Sequence, residues 1–220
     1  IGKFYPGAQL GQLNRADAFK KLPERRLRQV IEGVTLPLMA PLQDDPTRLK
    51  NGYRKIINAT FLIVSLTMVI LSAISIELVE VLLGKRWHLA GEYLQILCFS
   101  AIFFPINFLN QSILKTKNKA KTLLKLGIGV KLLTIFLILI VIYIDIKTML
   151  YAMIAYEFIS YAITAYFAGR LINYKILEQL KDFLPTILIV SSIFVELYFL
   201  NQVLEIKEYM KLVVLLFVGL

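Results

Sequence analysis

Two long stretches of this chain contain no charged residue, and they limit what the chain can fold into. Residues 56–76 and 93–114 are uncharged, and a membrane-spanning helix needs about 20 apolar residues. Over the whole chain, 58% of the residues are hydrophobic and 18% are charged. A soluble domain has about 45–50% apolar and about 25% charged residues. The composition therefore excludes a soluble enzyme, a disordered protein and a disulfide scaffold, and indicates an integral membrane protein.

Three further apolar runs contain one charged residue each. These runs are 126–144 with Lys131, 148–169 with Glu157, and 183–204 with Glu196. Hydrophobic residues follow one another continuously in all five runs, whereas the strands of a transmembrane barrel alternate apolar and polar residues. The sequence therefore predicts an all-α fold, a polytopic transmembrane helix bundle. Residues 26–42 are amphipathic, and we expect both ends of the chain to be cuts in a longer protein.

The distribution of cations between the loops predicts an orientation. The three loops that we expect on the cytoplasmic side contain twelve cations: Arg48, Lys50, Arg54, Lys55, Lys115, Lys117, Lys119, Lys121, Lys125, Arg170, Lys175 and Lys181. The alternate loops contain five: Lys85, Arg86, Lys147, Lys207 and Lys211. Cytoplasmic loops carry the excess of Lys and Arg in membrane proteins. Seven more cations lie before residue 29. If 26–42 crosses the membrane, these seven lie on the outer side, and the excess of cations on the cytoplasmic side disappears. A nucleic-acid partner is not expected, because such cations would gather on one face with stacking aromatics between them.

Four sequence pieces, in order, resemble one family of membrane transporters. They are IGKFYPGAQL with NRADAFKKLP in residues 1–23, VTLPLMAPLQDDPTRLKNGYRK (34–55), LLGKRWHLAGEYLQIL (82–97) and PINFLNQSILKTKNK (105–119). The chain thereby resembles the polysaccharide transporter family, the Wzx-type flippases of the MOP superfamily. The resemblance extends to about Lys131, and beyond it only the helix pattern agrees.

The resemblance implies how the chain is organised. It makes this chain the second lobe of a MATE/MOP-type transporter plus extra C-terminal helices, with the N-terminal lobe of the same protein as a missing partner. Residues 1–23 would be the end of a helix and a connecting loop, and 209–220 the start of a truncated transmembrane helix. The complete transmembrane helices would be 24–43, 54–83, 91–114, 122–144, 148–171 and 182–204. Here 26–42 spans the membrane, against the count of cations.

Charged residues inside the spans are the candidate substrate-binding residues, because charges in hydrocarbon are costly and usually face a cavity or a partner. Arg25, Arg28 and Glu32 recur at three- and four-residue spacing and therefore share one helix face. This face could be a cavity wall that binds an anionic substrate, or it could be a helix turn held by an Arg28–Glu32 pair. Lys131 and Glu157 lie inside consecutive spans, and we expect them to face the bundle interior and to interact directly or through water.

Other features predict structural roles. Asp44-Asp45 before Pro46 is typical of a turn with a helix cap. We expect Gly127 and Gly129 to allow close helix packing. With one Cys, one His and no glycine-rich phosphate loop, we expect no cofactor, no metal site and no catalytic residue.

By resemblance, the expected function is that of a flippase in the inner membrane of a bacterium. It would move an undecaprenyl-diphosphate-linked oligosaccharide for lipopolysaccharide, capsule or exopolysaccharide biosynthesis. One alternative is a MATE-like multidrug exporter, which should have acidic cation-binding residues in its first lobe. Another is a membrane-embedded polysaccharide polymerase or glycosyltransferase, which usually has a large outer loop that this sequence lacks.

Overall fold

The structure is a computed structural model that describes residues 5–141 and 143–203, in which every regular element is helical. Within these residues, four stretches are long and apolar enough to cross a membrane, namely Pro46–Ala73, Lys85–Thr116, Ala120–Val141 and Ile146–Ile172. The prediction of an all-α polytopic bundle is confirmed. The helices are α1 (Gly7–Met39), α2 (Pro46–Ala73), α3 (Ser75–Leu83), α4 (His88–Ala101), α5 (Phe103–Thr116), α6 (Ala120–Val141), α7 (Ile146–Ile172) and α8 (Ile176–Val203), with single 3-10 turns at Ala40–Leu42 and Lys85–Trp87.

Helix α1 differs from its predicted boundaries. The sequence predicted a connecting loop within residues 1–23, but one helix runs from Gly7 to Met39 and includes Pro23. A proline inside a helix removes one backbone hydrogen bond and usually kinks or ends the helix. Here the helix continues because it packs along its length against α4 and α5.

Two predicted spans are interrupted in the structure. The predicted helix 54–83 is divided at Ile74 into α2 and α3. The predicted helix 91–114 is divided at Ile102 into α4 and α5. At the second position the cause is Pro105, which has no N–H group for the carbonyl of Ala101.

The start of α2 follows the prediction for the acidic pair. Asp45 is the N-cap residue, and its Oδ1 atom accepts hydrogen bonds from the backbone N–H groups of Thr47 and Arg48, both at 3.0 Å. Pro46 occupies the first turn, where its missing N–H group costs nothing. The predicted turn and helix-cap role is therefore confirmed.

The packing of the helices leaves α6 at the edge of the bundle. Helices α4 and α5 lie in the centre, with α4 against α1, α2, α3 and α7, and α5 against α1 and α7. Helix α8 packs mainly along α2, and α6 packs against α7 and α5. Val141 is the one buried residue of α6, so most of this apolar helix faces outward.

Ion pairs join the first turns of α8 to α2. Lys50 Nζ donates to Glu178 Oε2 at 2.8 Å and to the carbonyl of Asn173. The Arg54 guanidinium binds the Asp182 carboxylate through two nitrogens. The hydrogen bond from Lys50 lowers the pKa of Glu178. These contacts fix the beginning of α8 against the beginning of α2.

Labelling of introduced cysteines tests the orientation predicted from the loop cations. In a background with Cys98→Ala, cysteines at Asn51 and Lys119 should be protected from an impermeant thiol reagent in intact cells. A cysteine at Tyr143, in the opposite loop, should react. All three positions are exposed, and Lys119 avoids the strain that Cys would have at Asn118, where φ is +54°. Labelling of Asn51→Cys and Lys119→Cys with protection of Tyr143→Cys would show that the orientation is the reverse of the predicted one.

Candidate functional site

A cavity of about 340 Å³ lies between α1, α5, α6 and α7. It brings together Arg28 of α1, Asn107 and Gln111 of α5, Lys131 of α6 and Glu157 of α7. Binding sites for small molecules are usually cavities of about 300–1,000 Å³ with a few convergent polar groups. This space, which we call the polar cavity, therefore combines a suitable volume with three of the charged residues that the sequence predicted.

A second pocket of about 240 Å³ adjoins the polar cavity along α1. Its charged lining residues are Lys20, Lys21, Glu24, Arg25 and Arg28, so four cations surround one carboxylate. We call it the basic pocket. Because Arg28 and Phe104 line both spaces, the two form one cationic surface that starts at Lys20 and reaches Lys131.

Arg28 lies where the two spaces meet. Its Nε atom is 2.5 Å from Glu32 Oε1. Its guanidinium carbon lies 5.4 Å from the ring centre of Phe104 and 5.7 Å from that of Phe108. The Arg28–Glu32 pair and the cavity wall were alternatives in the sequence analysis. The structure contains both, because the pair runs along α1 while the guanidinium still lines the cavity.

The other cations differ in whether a carboxylate neutralises them. Lys20 and Lys21 both contact Asp17, and Lys20 is also 3.9 Å from Glu24. Arg25 and Lys131 form no ion pair with any other residue that the structure describes. These two cations are therefore free to bind an external anion without first breaking an internal contact.

Glu157 ends a chain of hydrogen bonds that crosses three helices. Tyr53 donates to Asn110 Oδ1, and Asn110 Nδ2 donates to Thr164 Oγ1 at 3.2 Å. The Thr164 hydroxyl lies 2.9 Å from both Asn107 Oδ1 and the Ser160 carbonyl, which compete for its one proton. Asn107 Nδ2 then donates to Glu157 Oε2 at 3.0 Å. The chain therefore holds the Glu157 carboxylate at the wall of the polar cavity.

Lys131 and Glu157 share the cavity without touching each other. Both line it, as expected from their places in consecutive spans. No ion pair within 4.0 Å joins them in the described part of the chain, and the hydrogen-bond partner of Glu157 is Asn107. A direct Lys131–Glu157 ion pair, one of the two forms of the expected interaction, is therefore absent, whereas an interaction through water stays a prediction.

The two glycines of α6 do not serve close helix packing. A Cβ atom built on Gly127 or on Gly129 would have no neighbour within 4 Å among the residues that the structure describes. The predicted packing role is wrong for both positions, since α6 stands at the edge of the bundle. Gly127 instead lines the polar cavity.

Comparison with known protein families gives a match over the first part of the chain. Residues 1–92 match the profile of a family described as polysaccharide biosynthesis protein. The match supports assignment to the polysaccharide transporter family. Comparisons with curated proteins and with solved structures gave no match. The matched segment contains the whole basic pocket except Phe104, whereas Lys131 and Glu157 lie beyond it.

Several residues of the site were not predicted from the sequence. Lys20 was counted only among the seven cations before residue 29, yet it is 8% exposed and lines the basic pocket. Asn107 and Gln111 lie in an uncharged run and were not selected. They are four residues apart in one helix, and residues at that spacing share a face. That spacing of two amides in an apolar span is the signal that could have found them.

Replacing Asn107 by Leu should lower the stability of the protein. The change removes the donor to Glu157 and the acceptor for Thr164, and hydrogen bonds between membrane helices contribute about 0.6–2 kcal/mol each. We expect a lower midpoint of thermal unfolding in detergent, and Gln111→Leu is the control because Gln111 lines the same cavity. Equal midpoints for Asn107→Leu and Gln111→Leu would mean that the hydrogen-bond chain does not stabilise the bundle.

Proposed function

We propose that this chain is part of a flippase for undecaprenyl-diphosphate-linked oligosaccharides in a bacterial inner membrane. The match to a polysaccharide biosynthesis family supports the pathway. The four apolar stretches long enough to cross a membrane support transport across that membrane. The products would be lipopolysaccharide, capsule or exopolysaccharide.

The joined basic pocket and polar cavity carry this proposal. A diphosphate needs several cations at once, and Arg25, Arg28 and Lys131 line the two spaces with guanidinium and ammonium groups. Arginine binds phosphate oxygens through two parallel hydrogen bonds. Gln111 and Glu157 offer hydrogen-bonding groups on the same cavity, where the hydroxyl groups of a sugar would find partners.

Translocation by such a protein involves no covalent step. In alternating access, two lobes rock around a binding site between them and open it to one side at a time. The partner of this lobe would be the N-terminal lobe of the same protein. The part of this chain is then to hold the anionic head while the opening changes sides. Arg28 would exchange its contact with Glu32 for one with phosphate during binding.

Deletion of the gene tests the proposal. Without the flippase, lipid-linked repeat units should accumulate on the cytoplasmic leaflet, and surface polysaccharide should be depleted. Loss of a polymerase would instead leave single repeat units on the outer leaflet, and loss of a multidrug exporter would change drug sensitivity alone. Unchanged surface polysaccharide in a strain without a second flippase would refute the proposed function.

A further inference from the structure

One oxygen of Glu157 is left free by the residues that the structure describes. The Oε2 atom accepts a hydrogen bond from Asn107 Nδ2 at 3.0 Å. No described residue donates a hydrogen bond to the other oxygen, Oε1. This oxygen is not one of the buried unpaired atoms in the described part of the chain, so it faces open space. The carboxylate is therefore held through one oxygen, and the other can bind a group that enters the polar cavity.

Glu157 is the one carboxylate among the described residues that line the polar cavity. The other two charged residues of this lining are Arg28 and Lys131. Arg28 is paired with Glu32, which is outside the lining, and no ion pair in the described residues joins either cation to Glu157. The cavity therefore has cations on α1 and α6 and a separate negative charge on α7.

The separation of these charges limits how an anionic glycolipid can lie in the cavity. Its diphosphate would be attracted by Arg28 and Lys131 and repelled by Glu157. The first sugar is bonded directly to the diphosphate, and the whole cavity has a volume of about 340 Å³. A sugar inside this volume lies within reach of Glu157 when the phosphates contact the cations. We therefore expect the first sugar to meet Glu157 together with the uncharged groups of Gln111 and Ser160, which line the same cavity.

An ionised carboxylate selects among sugars by what their substituents can donate. It accepts hydrogen bonds and donates none. The hydroxyl groups and the acetamido N–H groups of neutral sugars are donors, so they fit such a group. The carboxylate of a uronic acid is an acceptor with a negative charge, and like charges placed together in a binding site lower affinity strongly. Glu157 should therefore favour the first kind of sugar and oppose the second.

We propose that Glu157 is a specificity-determining residue, which admits a lipid-linked glycan whose first sugar is neutral and excludes one whose first sugar carries a carboxylate. This inference rests on the proposed function and adds the chemical class of the sugar next to the diphosphate. Binding sites become specific by repelling the wrong partner as well as by binding the right one, and one fixed carboxylate does both. Asn107 is a positioning residue here, because its amide holds the carboxylate at the cavity.

Transport of two matched probes tests the inference. The complete protein would be reconstituted into phosphatidylethanolamine–phosphatidylglycerol vesicles at about pH 8, where carboxyl groups are ordinarily ionised. One probe is undecaprenyl diphosphate linked to glucose. The other is the same lipid linked to glucuronic acid, which has a carboxylate in place of the hydroxymethyl group of glucose. We expect the unmodified protein to transport the glucose probe faster by about tenfold or more, because like charges in one site lower affinity by at least that factor.

Two variants separate this selection from a general effect of charge. Glu157→Gln removes the negative charge and keeps an oxygen that can accept the hydrogen bond from Asn107, so the preference for glucose should fall several-fold. Glu196→Gln is the matched control, because Glu196 is exposed on α8 and does not line the cavity. This control should keep the preference of the unmodified protein. The amount of each variant in the vesicles and its midpoint of thermal unfolding in detergent report folding.

Two results would overturn the inference. One is transport of the glucuronic acid probe by the unmodified protein at least as fast as transport of the glucose probe, and the other is an unchanged preference in Glu157→Gln. In both cases the glucose probe still crosses the membrane, so the flippase assignment stands and the specificity assignment is wrong. Failure of the proposed function has a different result, because the unmodified protein would then transport neither probe and both assignments would fall together.

Discussion

Replacing Arg25 and Arg28 together by Gln is expected to abolish transport while leaving the protein inserted and folded. Arg28 lines both the basic pocket and the polar cavity, and Arg25 lines the basic pocket without an ion pair to any described residue. Hydrogen bonds to charged groups contribute about 1.5–3 kcal/mol each, so losing two contacts to a diphosphate should slow transport by about 100-fold or more. The measurement is the appearance of labelled glycan at the outer face of vesicles.

Control variants separate binding from folding. Arg26→Gln changes an exposed arginine of the same helix that lines neither space, and it should transport normally. Replacing Arg25 and Arg28 by Lys should restore transport only in part, because lysine keeps the charge and lacks the planar fork that binds two phosphate oxygens. Normal transport by the double Gln variant would show that the Arg28–Glu32 pair only supports the helix.

Gly169→Ala is expected to prevent correct folding of the end of α7. A Cβ atom at this position would lie 2.2 Å from the backbone oxygen of Tyr174 and 3.4 Å from Gln179 Nε2. The Gly169 carbonyl also accepts the backbone N–H of Tyr174 at 2.9 Å, so the turn to α8 closes directly on the glycine. No flexible side chain can move aside, and overpacking costs typically about 1–3 kcal/mol or more.

A second glycine should behave in the same way. Gly91→Ala would place its Cβ atom 2.6 Å from Ile76 Cα, where α4 meets α3. For both variants we expect less protein in the membrane and a lower midpoint of thermal unfolding in detergent. Gly129→Ala is the control on an open helix surface. It should be neutral or stabilising, because Ala is more favourable than Gly in a helix interior by about 0.8–1 kcal/mol. If Gly169→Ala matched this control, the close approach in the structure would be wrong.

The helices themselves were largely predictable, and their ends less so. Hydropathy located α6 and α7 to within a few residues, because continuous apolar runs are a local property of the sequence. The cap at Asp45 was likewise local. The loop that the resemblance implied within residues 1–23 was wrong, because one helix continues through Pro23 and packs against α4 and α5.

The candidate site divides in the same way. The sequence by itself determined an apolar helical chain, and the spacing along one helix placed Arg25, Arg28 and Glu32 on one face. Only the tertiary structure decided that Arg28, Lys131 and Glu157 line one cavity, and that Asn107 donates a hydrogen bond to Glu157. Residues three or four apart meet through the geometry of a helix. Residues on α1, α5, α6 and α7 meet only through the packing of the whole bundle. A periodic pattern within one helix does not specify which helices pack against it.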